Sequence, residues 1–180
     1  MKKNAPIVLI GMKHTGKTTI GKILSRHLNY TLFDTDTVIS EIAGKTAREL
    51  FDFGGSQLMQ QFETQAFEQI YNTKHTTQIV IATGGGLADN KEAIRFSEGK
   101  GLHIYLNTPF ELLFSRIMLS AERDGRLPLF LQGGDPQKIF FDLFSRRSAI
   151  YATMSDTIIN TGAQTPPEIA GIIMEYILHE

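Results

Sequence analysis

Gly11-Met12-Lys13-His14-Thr15-Gly16-Lys17-Thr18 has the pattern G-x-x-x-x-G-K-T. It follows a short apolar run, Ile7–Ile10, and it opens a segment with helical spacing of apolar residues. The two glycines let the backbone curl so that successive N–H groups point inward, and the helix adds its own free N–H groups. Lys17 would reach the β- and γ-phosphates of a nucleoside triphosphate, and the Thr18 hydroxyl would bind Mg²⁺. The alternative is a glycine-rich turn with a solvated lysine, but a strand, loop and helix in this order favour a triphosphate site.

The composition is that of a soluble globular protein. The chain has 180 residues, enough for one domain, and 42% are hydrophobic and 21% charged. A formal net charge of −1 provides no field that would attract nucleic acid or an anionic membrane, so we expect neither as a partner. Cysteine is absent, which excludes disulfides and thiolate metal sites. The basic residues 1–6 precede an apolar run too short for a signal peptide, and we expect a cytoplasmic protein.

Apolar runs alternate with segments of helical spacing along the whole chain. Five strands are predicted, at 7–10, 31–33, 78–82, 102–106 and 157–159. Helices are predicted at 18–28, in two short stretches between 38 and 53, and at 57–71, 91–96, 109–119, 137–151 and 167–178. The alternation predicts one domain, residues 1–180, with a three-layer α/β/α P-loop NTPase fold and a five-stranded parallel sheet.

Three local signals add detail to this fold. Thr46 is a plausible N-cap for the second of the two short stretches, which Gly54-Gly55 should end. Residues 121–136 are polar, rich in glycine and charge, and interrupted by two prolines. Such a segment is typical of an active-site lid, and we expect a mobile lid at about 121–134.

Two polar groups follow predicted strands, at the sheet edge where parallel α/β proteins bind ligands. If the strand continues through Asp34 and Asp36, their side chains leave on the same face, where two carboxylates could order Mg²⁺ and accept a proton from a hydroxyl group. The alternative for Asp36 is a helix N-cap. Gly84-Gly85-Gly86 would allow close approach of a small polar ligand, and its alternative is a flexible loop.

Together these elements resemble the shikimate kinases, P-loop enzymes that transfer the γ-phosphate of ATP to the 3-hydroxyl of shikimate. The resemblance covers nearly the whole chain. Its motifs are the phosphate loop, D-x-D at 34–36, part of F-x-x-x-G-E-x-x-F-R-x-x-E at 51–63, the three glycines, a lid like R-P-L-L, and R-x-x-x-Y at Arg147 and Tyr151.

The resemblance implies ATP and Mg²⁺ as cofactors, a small hydroxy acid as acceptor, and a role for each matching residue. Lys17, Asp36 and Arg126 would be catalytic, with Asp36 as base and Arg126 as the lid arginine that stabilises the transferring phosphoryl group. Thr18 would bind Mg²⁺ directly and Asp34 through water. The ATP site would comprise Gly11, Met12, Lys13, His14, Thr15, Gly16, Lys17, Thr18 and Thr19, with Arg116 beside the adenine. The acceptor would contact Asp36, Gln60, Gly84, Gly85, Gly86 and Arg147, within a binding segment at about 36–72. We expect a monomer.

Two departures from the family pattern concern the acceptor and the lid. Gln60 stands where the family has an arginine on the substrate carboxylate, and an amide cannot form arginine's charged fork. The lid has an extra residue between Arg126 and Pro128. Glu63 could orient neighbouring side chains or be a solvated helix residue. These departures leave two alternatives open. One is a related kinase of another hydroxy acid; gluconate kinases are such relatives, but they lack the three glycines. The other is a nucleotide-binding module without turnover.

The remaining polar residues have simpler interpretations. His14 should face solvent, and Arg146 should be solvated on a different side of its helix from Arg147. The other histidines show no metal-ligand spacing, so no transition-metal site is predicted. These are His27, His75, His103 and His179.

Overall fold

A computed structural model of the chain describes residues 5–73 and 77–179. The basic N-terminal residues 1–4, as well as His75, lie outside the described residues. Five strands form one sheet in which every neighbouring pair is parallel, in the order β2-β3-β1-β4-β5. They are β1 (Ile7–Ile10), β2 (Thr31–Asp34), β3 (Ile79–Ala82), β4 (Leu102–Asn107) and β5 (Thr157–Asn160). The predicted five-stranded parallel sheet is confirmed.

Seven α-helices accompany the sheet in the described part of the chain. They are α1 (Lys17–Leu28), α2 (Thr35–Ala43), α3 (Ala47–Tyr71), α4 (Lys91–Ser97), α5 (Phe110–Asp124), α6 (Pro136–Met154) and α7 (Pro166–His179), with short 3₁₀ helices at Leu87–Asp89 and Leu129–Leu131. None of the helices described is long and apolar enough to cross a membrane.

The central strand β1 shows that helices cover both faces of the sheet, which gives three layers. All four of its residues are buried, and alternate side chains point to opposite faces of the sheet. Val8 and Ile10 belong to a core that contains residues of α2 to α6, whereas Ile7 and Leu9 belong to a second core with α1 and α7. Apolar residues on both faces are what a parallel sheet covered by helices requires.

Helix α3 consists of two helical segments that meet at a kink. Thr46 is its N-cap, as predicted, and forms a capping box in which Thr46 accepts from the Glu49 N–H while the Glu49 carboxylate accepts from the Thr46 N–H. The two glycines interrupt the helix only at Gly55, whose φ of 65° is left-handed, and helical geometry resumes immediately afterwards. The first helical segment therefore ends at these glycines, as predicted, and a second segment continues from there to Tyr71.

The segment predicted as a lid, about 121–134, is partly helical and partly packed against the protein. Helix α5 continues to Asp124 and ends at Gly125, whose φ is 67°. The residues up to the start of α6 are not fully exposed, because Leu131 is completely buried in the core that contains residues of α2 to α6. Leu131 and the partly buried Phe130 thus hold the middle of this segment against the body of the protein.

Candidate active site

The phosphate loop (residues 11–16) joins β1 to α1 and takes its shape from three residues with positive φ. Gly11, His14 and Gly16 have φ values of 141°, 66° and 93°. A Cβ on Gly11 would lie 2.9 Å from the carbonyl oxygen of Leu106, so a side chain cannot be accommodated there. The Thr15 hydroxyl donates to the Met12 carbonyl across the loop at 3.0 Å. The loop leads into α1, whose first N–H groups have no intrahelical partner.

Lys17 lies under this loop. Its Nζ donates to the carbonyls of Gly11 at 2.8 Å and Met12 at 2.7 Å. The residue is only 7% exposed, which excludes the solvated lysine of the alternative interpretation. Burial lowers the pKa of Lys17 to about 8, with the charges of Asp36 and Asp34 opposing that shift and the charge of Arg147 adding to it. The ammonium is therefore held where a phosphate would relieve its desolvation.

Asp34 and Asp36 are arranged differently from the prediction. The strand ends at Asp34 and α2 begins at Thr35, so the two carboxylates do not share a strand face. Asp34, not Asp36, is the N-cap: its Oδ1 accepts from the Asp36 N–H at 3.0 Å. Its Oδ2 accepts from the Thr18 hydroxyl at 2.6 Å, which joins the end of β2 to the start of α1.

The Thr18 and Asp34 oxygens are ligands of the kind that Mg²⁺ takes. No cluster of three or more His, Asp or Glu side chains within residues 5–73 and 77–179 could hold a metal by itself. A cation at this pair would thus complete its coordination with phosphate and water oxygens, as Mg²⁺ commonly does.

Asp36 lies in the first turn of α2, and the residue as a whole is exposed, but its carboxylate is partly buried beside Gly84. That partial burial raises the pKa of Asp36, as does the neighbouring Asp34, against the charges of Lys17 and Lys13. Its Oδ1 is 3.0 Å from where a Cβ on Gly84 would stand. Asp36 thus faces both the phosphate loop and the strand β3 end.

The triple-glycine loop (residues 84–86) contacts α2, the phosphate loop and α6. The Gly84 N–H donates to the Thr35 hydroxyl at 2.8 Å, a contact that sequence analysis missed. A Cβ on Gly85 would collide with the backbone of Lys13, at 2.5 Å from its nitrogen. The Gly85 carbonyl accepts from Arg147 Nη1 at 3.1 Å and from the Tyr151 hydroxyl at 3.0 Å. These contacts account for the glycines better than the alternative of a flexible loop.

Arg146 and Arg147 of α6 share one partner, contrary to the expectation that they point to different sides. Asp89 Oδ2 accepts from Arg147 Nε at 3.1 Å and Nη2 at 2.7 Å, and its Oδ1 accepts from Arg146 Nη1 at 2.6 Å. Burial of Asp89 opposes the effect of the two arginines, whose hydrogen bonds and charges hold its pKa below the usual value. Sequence analysis missed Asp89 because nothing in its local pattern distinguishes it.

Glu63 is a buried acid beside this cluster and not a solvated helix residue. It is 5% exposed, and its Oε2 accepts from the Asn90 side chain at 3.1 Å. Burial raises the pKa of Glu63 to about 7, assisted by Asp36 and Asp89 and opposed by the Asn90 hydrogen bond and by Arg147. The Gln60 amide donates to the Asp89 carbonyl at 3.1 Å and so ties α3 to the 3₁₀ helix Leu87–Asp89.

A cavity of about 600 Å³ lies beside the phosphate loop, and neither Asp36 nor the triple-glycine loop lines it. Its walls include His14, Arg116, Arg123, Thr161 and Gln164. Arg116 Nη1 donates to the His14 carbonyl at 2.9 Å and so lies against the loop. His14 is half-buried and does not simply face solvent; burial, followed by the charges of Lys13 and Lys17, lowers its pKa to about 4.

Arg126 is the predicted site residue that the structure does not bring to the cleft. It is exposed and lies 3.8 Å from Asp52 of α3, with no hydrogen bond to the phosphate loop in the described part of the chain. The groups that do come together are those of the phosphate loop, Asp36, the triple-glycine loop and Arg147.

A loop built for a triphosphate, facing a carboxylate across an open cleft, is the arrangement of a P-loop kinase that acts on a small molecule. The model of the shikimate kinase family matches residues 13–178. The chain belongs to the shikimate kinase family.

Individual relatives agree with this assignment. The shikimate kinase of Microcystis aeruginosa is 35% identical over 174 residues, covering 95% of this chain and 85% of that protein. That of Aquifex aeolicus is 33% identical over 162 residues, covering 90% and 89%. Among solved structures, Acinetobacter baumannii shikimate kinase in complex with shikimate matches with a TM-score of 0.85 and 28% identity, over 97% of this chain and 93% of that one.

Proposed function

We propose that the protein transfers the γ-phosphate of ATP to the 3-hydroxyl of shikimate. The observation that carries the proposal is the convergence on one cleft of a phosphate-loop lysine, a carboxylate with a raised pKa, and an arginine. The charges of Asp36 and Arg147 both act on Lys17 there, and the triple-glycine loop lines the space near Asp36 and Arg147 without any side chain to fill it.

At the phosphate end, the loop N–H groups and Lys17 would hold the triphosphate. Lys17 would leave the carbonyls of Gly11 and Met12 and donate to phosphate oxygens. Thr18 and Asp34 would hold Mg²⁺, which neutralises charge on the phosphates when bound. The cavity beside His14 and Arg116 would hold the adenosine portion.

At the acceptor end, Asp36 would orient the hydroxyl group and accept its proton. A carboxylate whose pKa is raised toward the working pH is a better general base than an ordinary one. Gly84 to Gly86 would form the backbone wall, and Arg147 would attract the acceptor's carboxylate.

Closure of the lid at about 121–134 would bring in Arg126. In the present conformation Arg126 pairs with Asp52, and both side chains are exposed, 54% and 36%. Such a pair contributes about 0–1 kcal/mol, so little free energy opposes its release toward the developing phosphoryl charge. We further propose that the enzyme acts as a monomer in the cytoplasm.

The test is release of ADP from ATP and Mg²⁺ with and without shikimate, combined with ³¹P NMR of the product. The proposal predicts shikimate-dependent ADP release and a new phosphate monoester. An unchanged rate in the presence of shikimate contradicts it, and tight ATP binding without any phosphorylated acid would instead indicate a nucleotide-binding module.

A second candidate is a kinase of another hydroxy acid or polyol, because Gln60 replaces the family arginine and its amide is used within the protein. A panel of acceptors distinguishes the two candidates. Gln60→Arg should increase shikimate turnover only if shikimate is the acceptor and the rest of the pocket is intact.

A further inference from the structure

Asp89 forms an ion pair with Arg147, the arginine proposed to bind the acceptor's carboxylate. Its Oδ2 takes the Nε and Nη2 hydrogen bonds of Arg147, at 3.1 and 2.7 Å, and the Gly85 carbonyl takes one from Nη1 at 3.1 Å. Three of the five N–H groups of the guanidinium are therefore committed within the protein. The Arg147 side chain is 16% exposed and that of Asp89 27%, so water screens this pair less than an exposed one.

Position 60 does not compensate for this commitment. The Gln60 side-chain amide is neutral and donates to the Asp89 backbone carbonyl, and the Asn90 side chain in turn donates to the Gln60 backbone carbonyl at 2.8 Å. The two side chains expected to meet the acceptor's carboxylate, at positions 60 and 147, are thus both tied to the segment that carries Asp89.

Arg146 forms a second ion pair with the Asp89 carboxylate. Its Nη1 lies 2.6 Å from Asp89 Oδ1, the oxygen that Arg147 does not use. The Arg146 side chain is 54% exposed, so it can remain paired with Asp89 without lying in the cleft. One carboxylate is shared between an outer and an inner arginine.

We propose that Asp89 is a specificity-determining residue that competes with the acceptor's carboxylate for Arg147, and that Arg146 retains Asp89 when the acceptor takes its place. This inference rests on the proposed function, because it concerns how that acceptor is bound. It follows that anionic acceptors bind this site less tightly than they would bind a free arginine, whereas neutral acceptors are unaffected by the exchange.

The test compares binding of shikimate and of its neutral methyl ester to the ADP-loaded protein by isothermal titration calorimetry. Asp89→Asn should tighten shikimate binding roughly fivefold, because the competing charge is lost from a partly solvated pair. Arg146→Gln should weaken it by roughly threefold, because Asp89 then depends on Arg147 alone. Neither change should alter binding of the methyl ester.

Two further variants separate exchange from simple electrostatics. Arg146→Gln made in the Asp89→Asn background should have no effect, since nothing remains to be exchanged. Asp156→Asn removes the same charge near the opposite ends of the strands, where Asp156 accepts from the His103 N–H, and should leave both affinities unchanged.

Weaker shikimate binding by Asp89→Asn would overturn the inference, because it would mean that Asp89 positions Arg147 for the acceptor. An equal change for the methyl ester, or no shikimate binding to Asp89→Asn, would also overturn it. The expected binding pattern without phosphate transfer would instead contradict the proposed function and leave the exchange standing. Conversely, phosphate transfer to shikimate with equal KM values for shikimate in the wild type and in Asp89→Asn would support the proposed function and contradict the exchange.

Discussion

The backbone of Lys13 lies where a side chain at Gly85 would have to be. A Cβ on Gly85 would stand 2.5 Å from the Lys13 nitrogen and 2.9 Å from its Cα. The phosphate loop and the triple-glycine loop therefore pack backbone against backbone. The proposed nucleotide and acceptor ends of the cleft consequently share one wall, and we expect a change in either loop to displace the other.

Gly85→Ala should weaken nucleotide binding even though Gly85 is proposed to line the acceptor end of the cleft. The new Cβ must displace the Lys13 backbone, because neither contact atom is a flexible side-chain end. We expect the Kd for ADP to rise by about tenfold, as a displacement costing about 1–3 kcal/mol implies. Calorimetric titration with ADP measures it. Gly171→Ala on α7, where a Cβ meets nothing within 4 Å, is the matched control. Unchanged ADP affinity in Gly85→Ala would disprove the shared wall.

Nucleotide binding should take up a proton above pH 8. The pKa of unliganded Lys17 is lowered to about 8 by burial, and phosphate groups favour its charged form and so raise the pKa again. Between pH 8 and 10.5 the free protein therefore lacks a proton that the complex holds, and the affinity for ADP falls as pH rises. Calorimetry at pH 9 in buffers of different ionisation enthalpy counts the proton. Lys17→Arg, which stays charged, should abolish the uptake. Uptake that persists in this variant would assign the proton to another group.

Glu63 should reduce the stability of the folded protein as pH rises from about 4.5 to 7. Burial is the main cause of its raised pKa, so the folded state binds more protons than the unfolded state within this window, and stability is lost with rising pH. Relative to the wild type, Glu63→Gln should become more stable between pH 5 and pH 8 by on the order of 3 kcal/mol. Urea unfolding at both values measures the difference, with exposed Glu68→Gln on the same helix as control. A difference that does not change with pH would mean that Glu63 titrates normally.

The fold was predictable because its signals are local. The uniformly apolar run Ile7–Ile10, the glycines of the phosphate loop and the alternation of strand and helix patterns depend on neighbouring residues only. The arrangement of Asp34 and Asp36 was not predictable from local signals. Strand β2 ends at Asp34, which caps α2 and also accepts a hydrogen bond from Thr18 on α1, and the contact with α1 is not visible in the local sequence.

The acceptor end was less predictable for the same reason. Asp89 acquires its role from Arg146 and Arg147, which lie 57 and 58 positions away in sequence, and no periodicity encodes such a contact. Likewise, Leu131 ends the apolar run 127–131, and only the packing shows that it is completely buried while Leu129 is exposed.

The central claim is that Asp36 acts on the acceptor hydroxyl opposite the phosphate loop. Steady-state ADP release with saturating ATP and shikimate, comparing wild type with Asp36→Asn, tests it most directly. Glu41→Gln, an exposed acid on the same helix, is the control. We expect Asp36→Asn to lower kcat by about 10²–10⁴-fold while the Kd for ADP stays within about twofold, because the loss is that of a general base and not of a nucleotide contact. A kcat for Asp36→Asn equal to that of the wild type would contradict the account.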